Sequence, residues 1–127
     1  MTDPRKQRFA PYLRRLADLL ALKDWRVEID DDGPDAPAAV ASICWTYGRK
    51  LATVYLSAAF LDHDPEEQRH TLAHELIHCQ LGPAWDIAVE GLDSGQASAF
   101  CRMAEYAIDG LADAIAPLLP LPDAEPE

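Results

Sequence analysis

Residues 65–81 read PEEQRHTLAHELIHCQL, and this stretch decides the fold because it predicts a central helix. Pro65 suits the first position of a helix, and Gly82 followed by Pro83 is typical of a helix end. Apolar side chains occur on nearly every side of this helix, which is the pattern of a buried helix rather than a surface one. We therefore expect residues 65–81 to lie inside the core.

Three polar side chains, His74, Glu75 and His78, interrupt this apolar helix with the spacing HExxH. Burying such groups without partners costs several kcal/mol each. Positions i and i+4 share a helix face, so the two imidazoles can hold one Zn²⁺ while Glu75 reaches a water bound to it. The alternative is two buried histidines bonded to backbone groups, and it leaves Glu75 and both rings in need of separate partners. The sequence favours a zinc site.

A catalytic zinc site takes three protein ligands and a water, so a third ligand must come from elsewhere in the chain. No histidine follows His78, which leaves carboxylates. The later candidates are Asp86, Glu90, Asp93, Glu105, Asp109 and Asp113. The first three fall in a predicted loop at residues 83–95, where carboxylates are ordinarily solvated.

Helical periodicity selects among the remaining carboxylates. A last helix is predicted from about residue 94 or 96 to residue 116, and Glu105 falls beside its apolar stripe. We expect Glu105 to be the third ligand, and Asp109 to accept the outer ring N–H of a ligating histidine. Two alternatives stay open: Cys101 is the ligand instead, or Glu105 is a partly exposed residue paired with Arg102.

The rest of the chain predicts an α+β domain made of one helix, three strands and then two helices. The predicted N-terminal helix covers residues 4–23, and the strands cover residues 25–30, 39–47 and 51–57, in a mainly antiparallel sheet. The last two strands are predicted to form a hairpin. We expect residues 1–117 to be a single domain, and the acidic, Pro-rich tail at residues 118–127 to be disordered.

Composition limits the classes of partner. The 127-residue chain is 49% apolar and carries a net charge of −11, which argues against nucleic-acid binding. Five of its eleven basic residues nevertheless lie in the first fifteen positions: Arg5, Lys6, Arg8, Arg14 and Arg15. Such a cluster is either a solvated helix face or a docking site for an acidic partner.

Cysteine content and hydropathy bear on location. The three cysteines, Cys44, Cys79 and Cys101, are an odd number without paired spacing, which is typical of a reducing compartment. No run of about 18 apolar residues predicts a membrane span, and no signal-peptide core follows the charged N-terminus. We expect a cytoplasmic protein without membrane contact. Trp25, Trp45 and Trp85 are interpreted as core or rim aromatics.

The chain carries HExxH on one predicted helix and Glu105-x-x-x-Asp109 on a later one. In this it resembles the zincin metallopeptidases of the gluzincin type, notably the compact HExxH proteins of bacteria and their phages. The resemblance implies a minimal zincin-like domain in which His74, His78 and Glu105 bind zinc and Asp109 supports a ligand. It further implies a metallopeptidase that hydrolyses peptide bonds of a peptide or protein substrate through a zinc-bound water activated by Glu75. The added domains of the large family members are absent from this chain.

By analogy with zincins, an extended substrate pairs with an edge strand, and residues 51–57 are the expected strand. The alternative for this segment is an ordinary core strand. No residue matches the usual oxyanion-stabilising His or Tyr, and Tyr47, Tyr55 and Tyr106 are the candidates. Two other functions stay open: a zinc-binding regulatory or protein-interaction module with little turnover, and a zinc site that only stabilises the fold.

Overall fold

The computed structural model describes residues 4–34, 36, 38–46 and 48–123. In these residues it shows an α+β domain whose elements, in chain order, are α1 (Pro4–Gln7), α2 (Ala10–Leu19), β1 (Arg26–Asp30), β2 (Ala41–Thr46), β3 (Leu51–Leu56), α3 (Ala58–Asp62), α4 (Pro65–Glu90), α5 (Ser94–Ile115) and a 3₁₀ turn (Ala116–Leu118). The predicted order of helix, three strands and two helices is confirmed, and the short α3 is an addition to it.

The predicted N-terminal helix at residues 4–23 is wrong in its continuity and its end. Pro11 lies in the first turn of α2, where it has no N–H with which to continue the hydrogen bonds of α1. The helix ends at Leu19, and Ala21 then adopts a positive φ of 62°. The buried face of α2 still follows the predicted helical spacing, with Leu13 and Leu16 fully buried.

The sheet is mixed rather than mainly antiparallel, with the strand order β1-β3-β2. β2 and β3 form the predicted antiparallel hairpin, but β1 runs parallel to β3. The physical reason is that β2 lies one strand position away from β1, so that β3 fills the place between the two earlier strands. Val54 accordingly faces Ile29 on one side and Ile43 on the other, and it is fully buried.

This strand order corrects the expected substrate strand. Both edges of β3 are hydrogen-bonded, so residues 51–57 form a core strand and present no free edge. Within the described residues, β2 pairs only with β3 and is therefore an edge strand.

Helix α4 is longer than predicted, because it continues through Gly82 and Pro83 to Glu90. A Cβ placed on Gly82 would lie 2.6 Å from Trp45 Nε1, so glycine is required here for close approach of β2 rather than for a helix end. Pro83 removes one hydrogen bond inside the helix without ending it. The predicted loop at residues 83–95 is therefore wrong: only residues 91–93 link α4 to α5.

The ends of these two helices follow their sequence signals. Asp64 caps α4 by accepting a hydrogen bond from the Glu67 amide at 2.9 Å. Asp93 and Gln96 form a capping box at the start of α5. Helix α5 ends at Ile115, as predicted to within one residue.

Two apolar clusters lie on either side of α4, and they explain why its sequence is apolar nearly all round. The main cluster joins α2, the sheet, α3 and one side of α4, with Phe60, Leu72 and Leu76 fully buried. The second joins the other side of α4 to α5 through Ile77, Ile108 and Ala112. The prediction of a buried central helix is confirmed.

The first residues of the predicted tail contact the domain. Tyr12 donates a hydrogen bond from its hydroxyl to the Pro120 carbonyl at 2.7 Å, and Arg69 donates to the Leu119 carbonyl at 3.1 Å. The remainder of the predicted disordered tail, residues 124–127, lies outside the described residues. None of the described helices has the length and apolar content that crossing a membrane requires.

Lys6 and Arg14, from the cluster of basic residues near the N-terminus, contact other parts of the domain. Lys6 is buried and donates to the Asp31 carbonyl at 3.2 Å. Arg14 pairs with Asp18 at 2.8 Å and also donates to backbone carbonyls. Docking of an acidic partner on this region stays a prediction.

Candidate metal centre

Three histidines on α4 face three carboxylates on α5, and both sets repeat every four residues. We call this arrangement the histidine–carboxylate ladder. Its closest nitrogen–oxygen distances are 2.8 Å for His70 with Asp113, 2.8 Å for His74 with Asp109 and 2.9 Å for His78 with Glu105. The pairing requires antiparallel helices, which the short link at residues 91–93 provides.

Glu105 connects two rungs of the ladder. One carboxylate oxygen lies 3.1 Å from His74 Nε2, and the other lies 2.9 Å from His78 Nε2. Potential ligand atoms of these three residues all lie within 4.8 Å of one another. Both histidines are largely shielded from water, with 15% and 8% of their side chains exposed, whereas Glu105 is 46% exposed. The three predicted ligands are therefore brought together at the edge of the core.

The hydrogen bonding of this cluster fits a bound cation. His74 Nδ1 lies 2.8 Å from Asp109 Oδ1, and in the neutral ring that donates its N–H there, Nε2 keeps a lone pair. That lone pair faces a carboxylate oxygen of Glu105, and two acceptors in contact need a proton or a cation between them. Burial is the main cause that lowers the pKa of His78, against the opposing effect of Glu105, so its ring is easier to deprotonate. Two nitrogens and one oxygen are a donor set that zinc accepts.

Asp109 has the position predicted for it, because it contacts His74 at Nδ1, the ring nitrogen that points away from Glu105. His78 differs: its Nδ1 is buried and has no hydrogen-bond partner among the described residues. The two histidines are therefore held in different ways.

Glu75 is buried beside the cluster, with 8% of the residue exposed. Burial raises the pKa of its carboxyl from 4.5 to about 8, and the negative charges of Glu105 and Asp109 add to the shift. A carboxylate with this proton affinity is suited to take up and return a proton near neutral pH. Glu75 also lines the same cleft as the two histidines.

The cleft has a volume of about 420 Å³ and lies between β2, α4 and α5. It is lined by Ala41, Ser42, Ile43, Trp45, His74, Glu75, His78, Trp85 and Glu105. Trp45 stacks on His78 with a centroid distance of 5.7 Å and an interplanar angle of 20°, and Trp85 contacts the same ring at 5.4 Å.

Sequence reasoning placed these two tryptophans only in the core or at its rim. For Trp45 a signal was present: strand alternation puts it on the same face of β2 as Ile43. For Trp85 the signal was hidden, because the predicted end of the helix at Gly82 placed this residue in a loop.

The alternative ligands lie elsewhere. Within the part of the chain that the structure describes, the metal-compatible group consists of the three predicted ligands, and Cys101 is not in it. Asp86 and Glu90 lie on α4 rather than in a loop, and Asp86 accepts a hydrogen bond from Trp45 Nε1 at 3.3 Å. Asp93 caps α5. Both oxygens of Glu105 are directed at histidine rings.

The candidate oxyanion-stabilising tyrosines are not brought to the cleft. Tyr106 is 78% exposed and lines a neighbouring groove, which shares Glu105 with the cleft, but it is not among the residues that line the cleft. Tyr55 lies on the central strand and is not among the lining residues. Tyr47 lies outside the described residues.

Comparison of the chain with protein-family models, with curated proteins and with solved structures finds no match. The resemblance to gluzincins therefore rests on two short sequence motifs. Function has to be inferred from these residues.

Proposed function

We propose that the protein is a zinc-dependent metallopeptidase of zincin-like arrangement that hydrolyses peptide bonds. His74, His78 and Glu105 hold the zinc ion, and Glu75 is the general base. The observation that carries this proposal is the convergence of three potential ligand atoms within 4.8 Å beside a buried glutamate.

His74, His78 and Glu105 would hold a zinc ion, which when bound would act as a Lewis acid and make water easier to deprotonate near pH 7. Glu75 accepts a proton from the attacking water and returns it to the leaving amine. Asp109 keeps His74 in the tautomer whose Nε2 lone pair faces the cluster. Trp45 and Trp85 exclude water from one side of the cleft.

The substrate in this proposal is an extended peptide or protein segment that pairs with β2. This strand has a free edge among the described residues and contributes four of the residues that line the cleft. An added strand would place a peptide bond near the ligands through backbone hydrogen bonds, with side chains alternating between cleft and solvent.

The decisive experiment compares Glu75→Gln with the exposed Glu66→Gln on the same helix. Glu75→Gln should keep about one zinc per chain and lower peptide cleavage by roughly 10²–10⁴-fold, the usual contribution of a general base. Glu66→Gln should change neither quantity. Cleavage that survives in Glu75→Gln at full zinc content would contradict the assigned role of Glu75.

One observation favours a second candidate, a zinc-binding regulatory or interaction module with little turnover. Among the described residues that line the cleft there is no tyrosine or arginine to stabilise an oxyanion, and the Trp45 N–H is already bonded to Asp86. A wild-type protein that binds zinc but cleaves nothing in a broad peptide library would favour this module. A site that only stabilises the fold is usually closed by four protein ligands, and the described cluster supplies three.

A further inference from the structure

The outer nitrogen of the His78 ring, Nδ1, is not held by a hydrogen bond, in contrast to the outer nitrogen of the His74 ring. A ligating histidine ordinarily donates its outer N–H to a carboxylate or a carbonyl, which fixes the tautomer and the ring plane. His74 does so through Asp109, but the buried Nδ1 of His78 has no partner among the described residues. Glu105 contacts this ring at Nε2 alone, so packing must supply the rest of what fixes its orientation.

Trp45 provides that packing. Its indole lies nearly parallel to the His78 ring, with an angle of 20° and a centroid distance of 5.7 Å. Trp85 meets the same ring at a 48° tilt and is itself packed edge-on against Trp45 and Phe100. Of the two tryptophans, only Trp45 is nearly parallel to the His78 ring, and this stacking prevents the ring from turning out of its plane.

Trp45 is in turn held by the next two turns of α4. His78, Gly82 and Asp86 follow one another at four-residue steps and so share one helix face. The indole lies directly over Gly82, where an added Cβ would be 2.6 Å from Nε1 and 2.9 Å from two ring carbons. Asp86 accepts the indole N–H at 3.3 Å. His78, Gly82 and Asp86 therefore form the surface of α4 on which Trp45 of β2 packs.

We propose that Trp45, packed on Gly82 and hydrogen-bonded to Asp86, is the positioning residue that fixes the His78 ring for metal binding. This inference rests on the proposed zinc site and adds the device that orients its second histidine. It also accounts for the unusual Gly-Pro pair inside α4: the glycine makes room for the indole, and the continued helix brings Asp86 to the indole nitrogen.

The test uses Gly82→Ala in the full-length chain, because the added methyl group meets Trp45 before any ligand. Zinc affinity is measured by competition with a chromophoric chelator, and Co²⁺ replaces zinc to report ligand geometry through its visible absorption. Gly82→Ala and Trp45→Ala should each weaken zinc binding by about 10- to 100-fold, the range for loss of a group that orients a ligand, and should alter the Co²⁺ spectrum. Gly110→Ala is the matched control, since nothing lies within 4 Å of a Cβ added there.

Trp45→Phe separates positioning from general stability. A phenyl ring retains a stacking surface but lacks Nε1, so we expect a smaller loss of zinc affinity than in Trp45→Ala. It also frees space over Gly82, so adding Gly82→Ala in the Trp45→Phe background should cause little further loss. If Gly82→Ala does not fold, the comparison of Trp45→Ala, Trp45→Phe and wild type decides the question.

The outcomes distinguish this inference from the proposed function. A wild-type chain that binds no zinc refutes the metal site, and this inference with it. A wild-type chain that binds zinc, together with Gly82→Ala and Trp45→Ala variants of unchanged affinity and Co²⁺ spectrum, refutes only the role of Trp45. Gly82→Ala could also lower zinc affinity equally in the wild-type and the Trp45→Phe backgrounds. That result would show that strain in the helix, not contact with the indole, is responsible, and it would also overturn the role of Trp45.

Discussion

Replacing Asp109 with asparagine should weaken zinc binding by about tenfold without unfolding the protein. The carboxylate lies 2.8 Å from His74 Nδ1, and partners of this kind typically contribute 10- to 100-fold in metal affinity. Because 60% of the Asp109 side chain is exposed, water screens its charge and we expect the lower end, about 1.4 kcal/mol. Asparagine keeps an oxygen that can accept the N–H, so the loss measures the charge.

The matched control is Asp113→Asn, one turn later on the same helix. Its carboxylate lies 2.8 Å from His70 and is 74% exposed, so the variant makes the same change of charge in the ladder without contacting a proposed ligand. Zinc affinity is measured by chelator competition at one fixed ionic strength, since long-range charge effects depend on salt. Asp109→Ala, which removes the acceptor as well, should lose more than Asp109→Asn.

Two results would refute this reasoning. Equal losses in Asp109→Asn and Asp113→Asn would mean that only the general negative field of α5 matters. An unchanged affinity in Asp109→Ala would mean that His74 needs no support from α5 to present Nε2.

Four further predictions concern the site and the fold. Glu105→Ala should lower zinc affinity by more than the ~10- to 100-fold typical of an outer partner, whereas Cys101→Ala should leave it unchanged; equal effects would contradict the ligand assignment. In the metal-free protein, the free energy of unfolding of wild type should fall relative to that of Glu75→Gln by about 1.4 kcal/mol for each unit that the pH rises between 4.5 and about 8. The reason is that the folded state retains a proton on Glu75 that the unfolded chain releases. Urea unfolding of both proteins at pH 5 and pH 8 tests this, and a constant difference between their unfolding free energies would contradict it. Asp64→Ala should cost about 1 kcal/mol in urea unfolding through loss of the α4 cap, and an unchanged midpoint would count against it. Leu76→Ala, at a fully buried position, should cost about 2–5 kcal/mol in the same assay, and a loss below 1 kcal/mol would indicate that the core has closed around the cavity.

The candidate site could be predicted from the sequence because its geometry is local to each helix. The four-residue spacing of His74 and His78 places both rings on one face, and the apolar stripe of α5 places Glu105 at the edge of the core. Only the approach of the two helices is a tertiary fact, and the short link at residues 91–93 makes it nearly obligatory.

The features that could not be predicted depend on contacts between distant residues. The parallel pairing of β1 with β3 depends on the position of β2 in the sheet, and no periodic signal in the sequence indicates that position. The continuation of α4 past Gly82 depends on an indole supplied from β2, so the local Gly-Pro signal gave the wrong end. The roles of Trp45 and Trp85 were missed for the same reason.

The histidine–carboxylate ladder also affects which alignment of α4 against α5 is favoured. Because both sets repeat every four residues, sliding α5 by about 6 Å would pair His74 with Asp113 and His78 with Asp109. In that slipped alignment an aspartate, shorter by one methylene, would stand where Glu105 now spans both rings. The order of a long and a short acid on α5 therefore carries alignment information, and one methylene group separates a complete site from an incomplete one.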